Sequence, residues 1–163
     1  MILKTSRLLL TGWLAAAGLL AAGCDSELES DAVHKYPAAR ISPKNAWTIK
    51  SDLADAAAAI DGNYATAATS SDVYASSTIV LDLGKTCMFN TVVIEHGEEL
   101  GYCRRLTVAT SIDGKTYTQR MTGPGNRKTT IVAIVTPVLA RYVQIKAVIP
   151  GNRAWSVSEI DLQ

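Results

Sequence analysis

The feature that most constrains the fold is a series of short segments rich in alternating or β-branched residues. They cover residues 77–83, 90–96, 105–111, 115–121, 129–135, 141–148 and 157–163. Turn sequences such as DLGK, SIDGK, GPGNRK and IPGNR separate several of them. Short strands joined by such turns are typical of an all-β sandwich. One other segment, KSDLADAAAAI, has helical character, and the Asp-Gly pair that follows would end a helix there.

If successive strands reverse direction, their connections collect at two ends of the domain. Residues 69–76, 97–104, 122–128 and 150–156 then share one end, and we call these segments the top loops. The opposite end holds the tight turns at 84–88, 112–114 and 136–140. Function on a β-sandwich usually resides in loops at one end. We therefore expect a functional site among the longer top loops.

The first 40 residues are not expected to belong to this domain. Residues 1–23 begin with Lys4 and Arg7 and continue with an apolar run that ends in small residues, as in a secretory signal peptide. The run is short for a membrane-spanning helix. The sequence LAAGC resembles the lipobox of bacterial lipoproteins, with Ala21 where Leu is commonest. This resemblance implies that Cys24 carries lipid and anchors the chain to a membrane of the bacterial cell envelope, outside the cytoplasm.

The segment that follows Cys24 is polar and has no apolar period. Residues 24–40 therefore predict a flexible tether, and residues 41–163 remain as one domain. The whole chain has a formal net charge of +1 with scattered basic residues, so no nucleic-acid partner is expected.

The sequence offers no motif of a known catalytic site. It has no HExxH, no phosphate-binding glycine loop and no Cys/His metal cluster. The neighbouring Glu98 and Glu99 do not form the separated pair that glycosidases use. We therefore do not expect an enzyme.

Several pieces of the sequence occur in the order of one known family. They are AIDGNYAT, IVLDLGK, FNTVVIEHG, LTVATSIDGKTY, LARYVQIKA and WSVSEIDLQ, spread over residues 41–163. Together they resemble the discoidin, or coagulation factor 5/8 type C, domains, of which many bacterial members are family 32 carbohydrate-binding modules. The resemblance implies a jelly-roll β-sandwich of the galactose-binding-domain-like type, in agreement with the strand pattern.

The resemblance also implies a structural calcium ion at the DGN..T segment. Calcium takes six to eight oxygen ligands, many of them backbone carbonyls. The implied ligands come from the first loop and from the last strand: Ala58, Asp61, Asn63, Thr66 and Glu159. Ala68 stands where the family usually has Trp. The alternative is an Asx-turn capped by Thr66, with Glu159 exposed.

The top loops carry the groups that a sugar site needs, namely hydrogen-bonding side chains and an aromatic face. Trp155 could stack on a sugar ring, and Tyr74 is a weaker aromatic candidate. The polar candidates are His96, Arg104, Arg105, Asn152 and Arg153, and Trp155 with Arg153 is the best pair. Each has a structural alternative: Trp155 could seal the core, and His96 could be a hydrogen-bonded residue at a strand end.

Two functions are compatible with these features. The leading hypothesis is a lipid-anchored, non-catalytic module that recognises cell-surface or environmental glycans. The alternative is a protein- or phospholipid-binding discoidin domain, acting in adhesion or within a larger surface assembly. For lipid binding, the apolar residues of the loop tips would be Tyr102, Ile149 and Trp155.

Two cysteines lie inside the domain. Cys87 precedes and Cys103 follows the strand predicted at 90–96, which spans about 20 Å at about 3.3 Å per residue. Disulfide-bonded cysteines need Cα atoms within about 7 Å. We therefore predict two free thiols, with Cys87 against the core and Cys103 nearer the ligand end.

Overall fold

A computed structural model describes residues 37–73, 76–97 and 101–163. This part of the chain contains eight strands and three short 3₁₀ helices. The strands are β1 (Thr48–Ser51), β2 (Ala68–Thr69), β3 (Thr78–Glu95), β4 (Arg105–Ser111), β5 (Thr118–Pro124), β6 (Thr129–Ile149), β7 (Ser156–Val157) and β8 (Glu159–Leu162). The 3₁₀ helices are Pro37–Ala39, Lys44–Ala46 and Ala56–Ala59. Within the described ranges, no helix has the length and apolar character to cross a membrane.

All strand pairs are antiparallel. The larger sheet has the order β1-β3-β6-β4-β5, and β8 pairs with β3. The first half of β3 pairs with β1 and with the end of β6, whereas its second half pairs with β8 and with the start of β6. Strands β2 and β7 form a separate two-stranded sheet. The predicted all-β jelly-roll sandwich is confirmed.

Strands β3 and β6 each combine two of the predicted segments. Both turn back at mid-length, so that their two ends lie on the same side of the domain. Arg104 shows this, because its N–H donates to Ile149 at the end of β6 and its carbonyl accepts from Gly125, just before β6 begins. The predicted reversal of direction is therefore right. The predicted tight turns at 84–88 and 136–140 are wrong, since both are bends inside continuous strands.

The bend in β3 is formed around a glycine. Gly84 has φ +76°, and a Cβ atom there would lie 2.9 Å from the carbonyl oxygen of Ala46. The β3–β6 register shifts between Asp82 and Cys87 at the same place. Across the bend, Arg141 donates from Nε and Nη2 to the two carboxylate oxygens of Asp82, at 2.7 and 2.9 Å. A left-handed backbone that only glycine adopts easily thus marks the fold-back.

One hydrophobic core fills the interior. Alternate residues of both halves of β3 and β6 point into it, and burying them supplies the main driving force for folding. Trp47, predicted as a core or first-strand residue, is buried immediately before β1, and its indole N–H donates to Ser42 O at 2.9 Å. Fully buried members include Ile79, Leu81, Leu83, Val92, Ile94, Val143 and Ile145.

Several boundaries differ from the sequence-based ones. The strand predicted at 105–111 is found with the same bounds, whereas that predicted at 115–121 is found as Thr118–Pro124. In the segment predicted as helical, residues 50–60, only Ala56–Ala59 form a helix, and it is a 3₁₀ helix. The first two residues of the segment belong to β1. The helix Pro37–Ala39 falls within the predicted tether. The signal peptide and Cys24 lie outside the described residues.

Cys87 and Cys103 are both free thiols, as predicted, and Cys87 is buried as expected; Cys103 is buried as well. Burial raises the pKa of Cys103 to about 11, so the thiol stays protonated at neutral pH. Cys87 lies in β3 near the bend, and Cys103 lies in a top loop.

Candidate functional site

The top loops meet in the folded domain. Ser70 donates its N–H to Trp155 O, and its hydroxyl oxygen accepts from Trp155 N–H, both at 2.8 Å. Ser156 N–H donates to Gly101 O at 2.7 Å. The bond from Gly125 N–H to Arg104 O, at 3.1 Å, brings in the fourth loop. The sequence-based grouping of these loops at one end is confirmed.

Glycines allow these loops to pack backbone against backbone. A Cβ atom on Gly101 would lie 2.0 Å from Ala154 O, and one on Gly151 would lie 2.0 Å from Tyr102 O. On Gly125 it would lie 1.8 Å from Cys103 O. No side chain fits at such distances. The segment 101–103 is therefore held between two other loops, which fixes the position of Tyr102.

A cavity of about 230 Å³ opens on this surface. Its lining combines one partly buried aromatic ring with three exposed polar side chains: Tyr102, Arg127, Asn152 and Arg153. Arg104 lies beside the cavity and donates from Nη2 to Asn152 Oδ1. Because this bond engages the amide oxygen, it orients the Asn152 side chain and leaves its amide nitrogen as a donor. The site thus offers many N–H donors around one ring.

Trp155 does not fit the stacking role predicted for it. Its side chain is in the core, and the residue is only 3% exposed, so the ring has no free face at the surface. The predicted alternative, a residue that seals the core, describes it. Asn152 and Arg153 do line the cavity, as the sequence analysis expected for ligand-binding residues.

His96 is fully buried, so a direct ligand contact does not fit this residue either. Its ring nitrogens contact Ser156 O at 2.7 Å and Thr130 Oγ1 at 2.8 Å. This is the hydrogen-bonded residue at a strand end that was the alternative reading. Arg105 is exposed at the start of β4 but is not among the residues that line the cavity, and Tyr74 lies outside the described residues.

Two lining residues were not among the predicted sugar ligands. Tyr102 was assigned only to the lipid-binding alternative, and Arg127 was not assigned at all. Both lie next to the glycines that pack the top loops, within the sequences GYC and GPGNR. An aromatic residue between a glycine and a buried cysteine was the available signal for Tyr102.

The DGN..T segment forms the Asx-turn described above as the alternative to a calcium site. Asp61 Oδ1 accepts from Asn63 N–H at 2.8 Å, and Oδ2 accepts from the Thr66 hydroxyl at 2.7 Å. The Thr66 hydrogen bond, followed by that of Asn63, lowers the pKa of Asp61. Ala58 lies in the 3₁₀ helix Ala56–Ala59, and Ala68 begins β2. Both carboxylate oxygens of Asp61 therefore already have donors from the protein.

Glu159 is not exposed, in contrast to that alternative. It is fully buried, and Lys44 and Gly62 donate to its two carboxylate oxygens at 2.6 and 2.7 Å. Lys44 Nζ also lies 2.6 Å from Asp161 Oδ1. Among the described residues, no group of three or more His, Cys, Asp or Glu side chains is arranged to hold a metal ion. Calcium stays a prediction from the resemblance, because most of its implied ligands are carbonyl and hydroxyl oxygens; of the two implied carboxylates, Glu159 already faces the Lys44 ammonium.

The comparison with family models decides the classification. Residues 38–160 match the model of the F5/8 type C domain. The chain belongs to this family. The match runs from the first 3₁₀ helix through the top loops to the start of β8. No protein with a curated description matches the chain.

Several solved structures of similar fold are carbohydrate-binding modules. The Clostridium perfringens domain CpGH89CBM32-5, in complex with GalNAc-β-1,3-galactose, has a TM-score of 0.67 and 16% identity, covering 74% of this chain and 96% of that one. The family 32 module of Clostridium perfringens NanJ, in complex with galactose, has a TM-score of 0.64 and 20% identity, with coverages of 74% and 95%. A chitosan-binding module from Paenibacillus sp. IK-5 has a TM-score of 0.63 and 21% identity, with coverages of 77% and 96%. At these identities the likeness shows the fold.

Proposed function

We propose that this F5/8 type C domain is a non-catalytic carbohydrate-binding module, anchored at the cell envelope by lipid on Cys24. The observation that carries the glycan proposal is the cavity among the top loops. Its one aromatic ring and its convergent donors from Arg127, Asn152 and Arg153 suit a small polar ligand with an apolar face. A monosaccharide has this combination of surfaces.

The chemistry of the cavity agrees with a sugar. Guanidinium groups donate in a fixed fork and cannot accept, so Arg127 and Arg153 suit the lone pairs of hydroxyl and ring oxygens. Asn152 adds an amide donor, because its oxygen is engaged by Arg104. The ring of Tyr102 supplies the surface against which the apolar face of a pyranose packs.

The glycans bound by the similar structures support the class of ligand. Galactose, GalNAc-β-1,3-galactose and chitosan are named for three of them. These ligands differ in charge and in ring substituents, so the proposal names glycans as a class. Galactose-like sugars are the first to test.

The proposal is tested by isothermal titration against a panel of galactose, N-acetylgalactosamine, glucosamine and their oligosaccharides. Arg127→Ala and Tyr102→Ala should each weaken binding of the best ligand about tenfold or more, which corresponds to about 1.4 kcal/mol. Arg105→Ala and Tyr64→Ala are the matched controls, since neither residue lines the cavity and Tyr64 is 58% exposed. Both controls should bind as the wild type does.

Equal binding by all four variants would place the site elsewhere, for instance in the cavity of about 480 Å³ that Lys50, Tyr117 and Gln144 help to line. Phospholipid binding is the competing outcome, and Ile149, which is 39% exposed, is its apolar candidate. A liposome pull-down separates the two. Binding to vesicles that Ile149→Ser abolishes, without binding to any glycan, would overturn the glycan proposal.

A further inference from the structure

Lys44 joins the beginning of the domain to its last strand. The residue lies in the 3₁₀ helix Lys44–Ala46, and its ammonium contacts Glu159 Oε1 and Asp161 Oδ1, both at 2.6 Å. Lys44 and Glu159 are 115 residues apart in the sequence. The side chain of Lys44 is 29% exposed, that of Asp161 is 35% exposed and that of Glu159 is fully buried.

The carboxylate of Glu159 also binds a second segment of the chain. Its other oxygen accepts the N–H of Gly62, in the DGN..T loop, at 2.7 Å. A buried carboxylate needs a compensating positive charge, and leaving it unpaired is strongly destabilising. Within the described residues, Glu159 forms this ion pair with Lys44. One ammonium and one carboxylate thus hold the N-terminal segment, the first loop and β8 together.

Lys44 is charged throughout the neutral range. Burial opposes the charge, but the hydrogen bonds and negative charges of Asp161 and Glu159 outweigh it, so the pKa of Lys44 is raised above its usual value. The charge of Lys44 also contributes to the lowered pKa of Asp61, after the larger effects of the Thr66 and Asn63 hydrogen bonds. The field of this one cation therefore reaches the carboxylates of both the first loop and the last strand.

The same carboxylates are the ones that the family resemblance assigns to calcium. Asp61 and Glu159 each have both oxygens engaged by donors of the protein. A calcium ion on Glu159 would lie close to a positive ammonium, which already neutralises this buried carboxylate. We propose that the Lys44 ammonium supplies at Glu159 the positive charge that a calcium ion would supply, and makes the fold of this domain independent of calcium.

Thermal unfolding of the wild-type protein gives the first test. The melting temperature should be the same in excess EDTA and in millimolar CaCl₂, because no ion that binds only the folded state adds to its stability. A fall in EDTA that CaCl₂ reverses, with one Ca²⁺ bound per chain by titration, would overturn the proposal. This measurement involves no glycan, so its result is separate from that of the function proposed above.

Lys44→Met gives the second test. The substitution leaves Glu159 buried without its cation, so we expect the melting temperature to fall by roughly 5 to 15 °C. Lys146→Met is the matched control, because Lys146 is an exposed lysine on β6, and it should change the melting temperature little.

The double variant Lys44→Met/Glu159→Gln removes the unpaired charge while the amide oxygen still accepts from Gly62. It should recover part of the loss, which a merely steric effect of methionine would not allow. An unchanged melting temperature in Lys44→Met, or a double variant less stable than Lys44→Met alone, would overturn the proposal.

Discussion

His96 is buried at the top of the domain with both ring nitrogens hydrogen-bonded. The carbonyl oxygen of Ser156 can only accept, so Nδ1 carries a proton. Nε2 lies 2.8 Å from the Thr130 hydroxyl, which can donate or accept. Burial favours the neutral ring, in which Nε2 accepts this hydrogen bond. Burial lowers the pKa of His96, and the hydrogen bond to Ser156 and the charge of Glu95 oppose this effect only in part. One residue thus links the end of β3 to β6 and to the start of β7.

This arrangement predicts a loss of stability in mild acid. An unfolded histidine has a pKa of about 6.5. Below that pH the unfolded chain takes up a proton that the folded chain does not, so the free energy of unfolding falls by at most about 1.4 kcal/mol per pH unit until the folded pKa is reached.

Urea denaturation between pH 8 and pH 5 measures this dependence. We expect full stability above pH 7 and a decline below it. In His96→Gln the decline should be much smaller, although the variant is less stable at every pH. A decline of equal slope in the wild type and in His96→Gln would assign it to other groups.

The bends of β3 and β6 are the elements that carry the top loops. Because each long strand turns back on itself, both of its ends reach the same face, and four loops emerge side by side. Asp82 and Arg141 hold the bend from outside, and the Arg141 hydrogen bond lowers the pKa of Asp82. This pair is partly exposed, so solvent screens it and its contribution to stability is small. The left-handed backbone and close packing of Gly84 constrain the bend more strongly than this ion pair does.

Gly84→Ala should therefore destabilise the domain by about 1–3 kcal/mol, since the new Cβ meets Ala46 O and the left-handed backbone disfavours alanine. Gly123→Ala is the matched control. Gly123 lies in β5 with no heavy atom within 4 Å of its Cβ position and with no positive φ. Chemical denaturation measures both variants. Equal stability of the two would show that β3 bends without help from Gly84.

At the scale of the whole molecule, the start of the described chain lies beside the bend of β3. Lys85 Nζ donates to Ala38 O at 3.2 Å, which joins the start of the described chain to the bend of β3. The predicted tether therefore leaves the domain near the bends and away from the top loops.

Cys24→Ala tests the anchor. The lipobox resemblance predicts that this variant either loses its association with membranes or keeps its signal peptide uncut. Ser26→Ala, two residues further along, is the control and should fractionate with membranes as the wild type does. Fractionation together with intact mass decides the question. A Cys24→Ala protein that stays with membranes at the mass of the wild type would contradict the lipoprotein prediction.

The sequence predicts the fold better than it predicts the site. Alternation along 105–111 sets the inward face of β4 without reference to the rest of the chain, so that strand is found with its predicted bounds. The sequence DLGK contains a turn residue at Gly84, but β3 does not end there. Its pairing with β6 resumes at Cys87, and whether a partner strand continues the ladder cannot be seen in the local sequence. Lys44 has no local pattern, because its partners lie more than a hundred residues away. Trp155 is ambiguous in sequence, because burial of a loop aromatic depends on the other loops.

The pairing of β3 with β6 and β8 also governs how quickly the domain forms. Ile79 pairs with Ile145, and Val92 pairs with Leu162, so most ladder contacts join residues far apart in the chain. Closing such long loops costs entropy before any contact is gained, and sheets of this topology fold in milliseconds to seconds. Until β6 and β8 are available, β3 pairs only with β1 along its first half, so one of its edges and half of the other stay unpaired. A fragment that stops before β6 is therefore an aggregation-prone chain rather than a smaller domain.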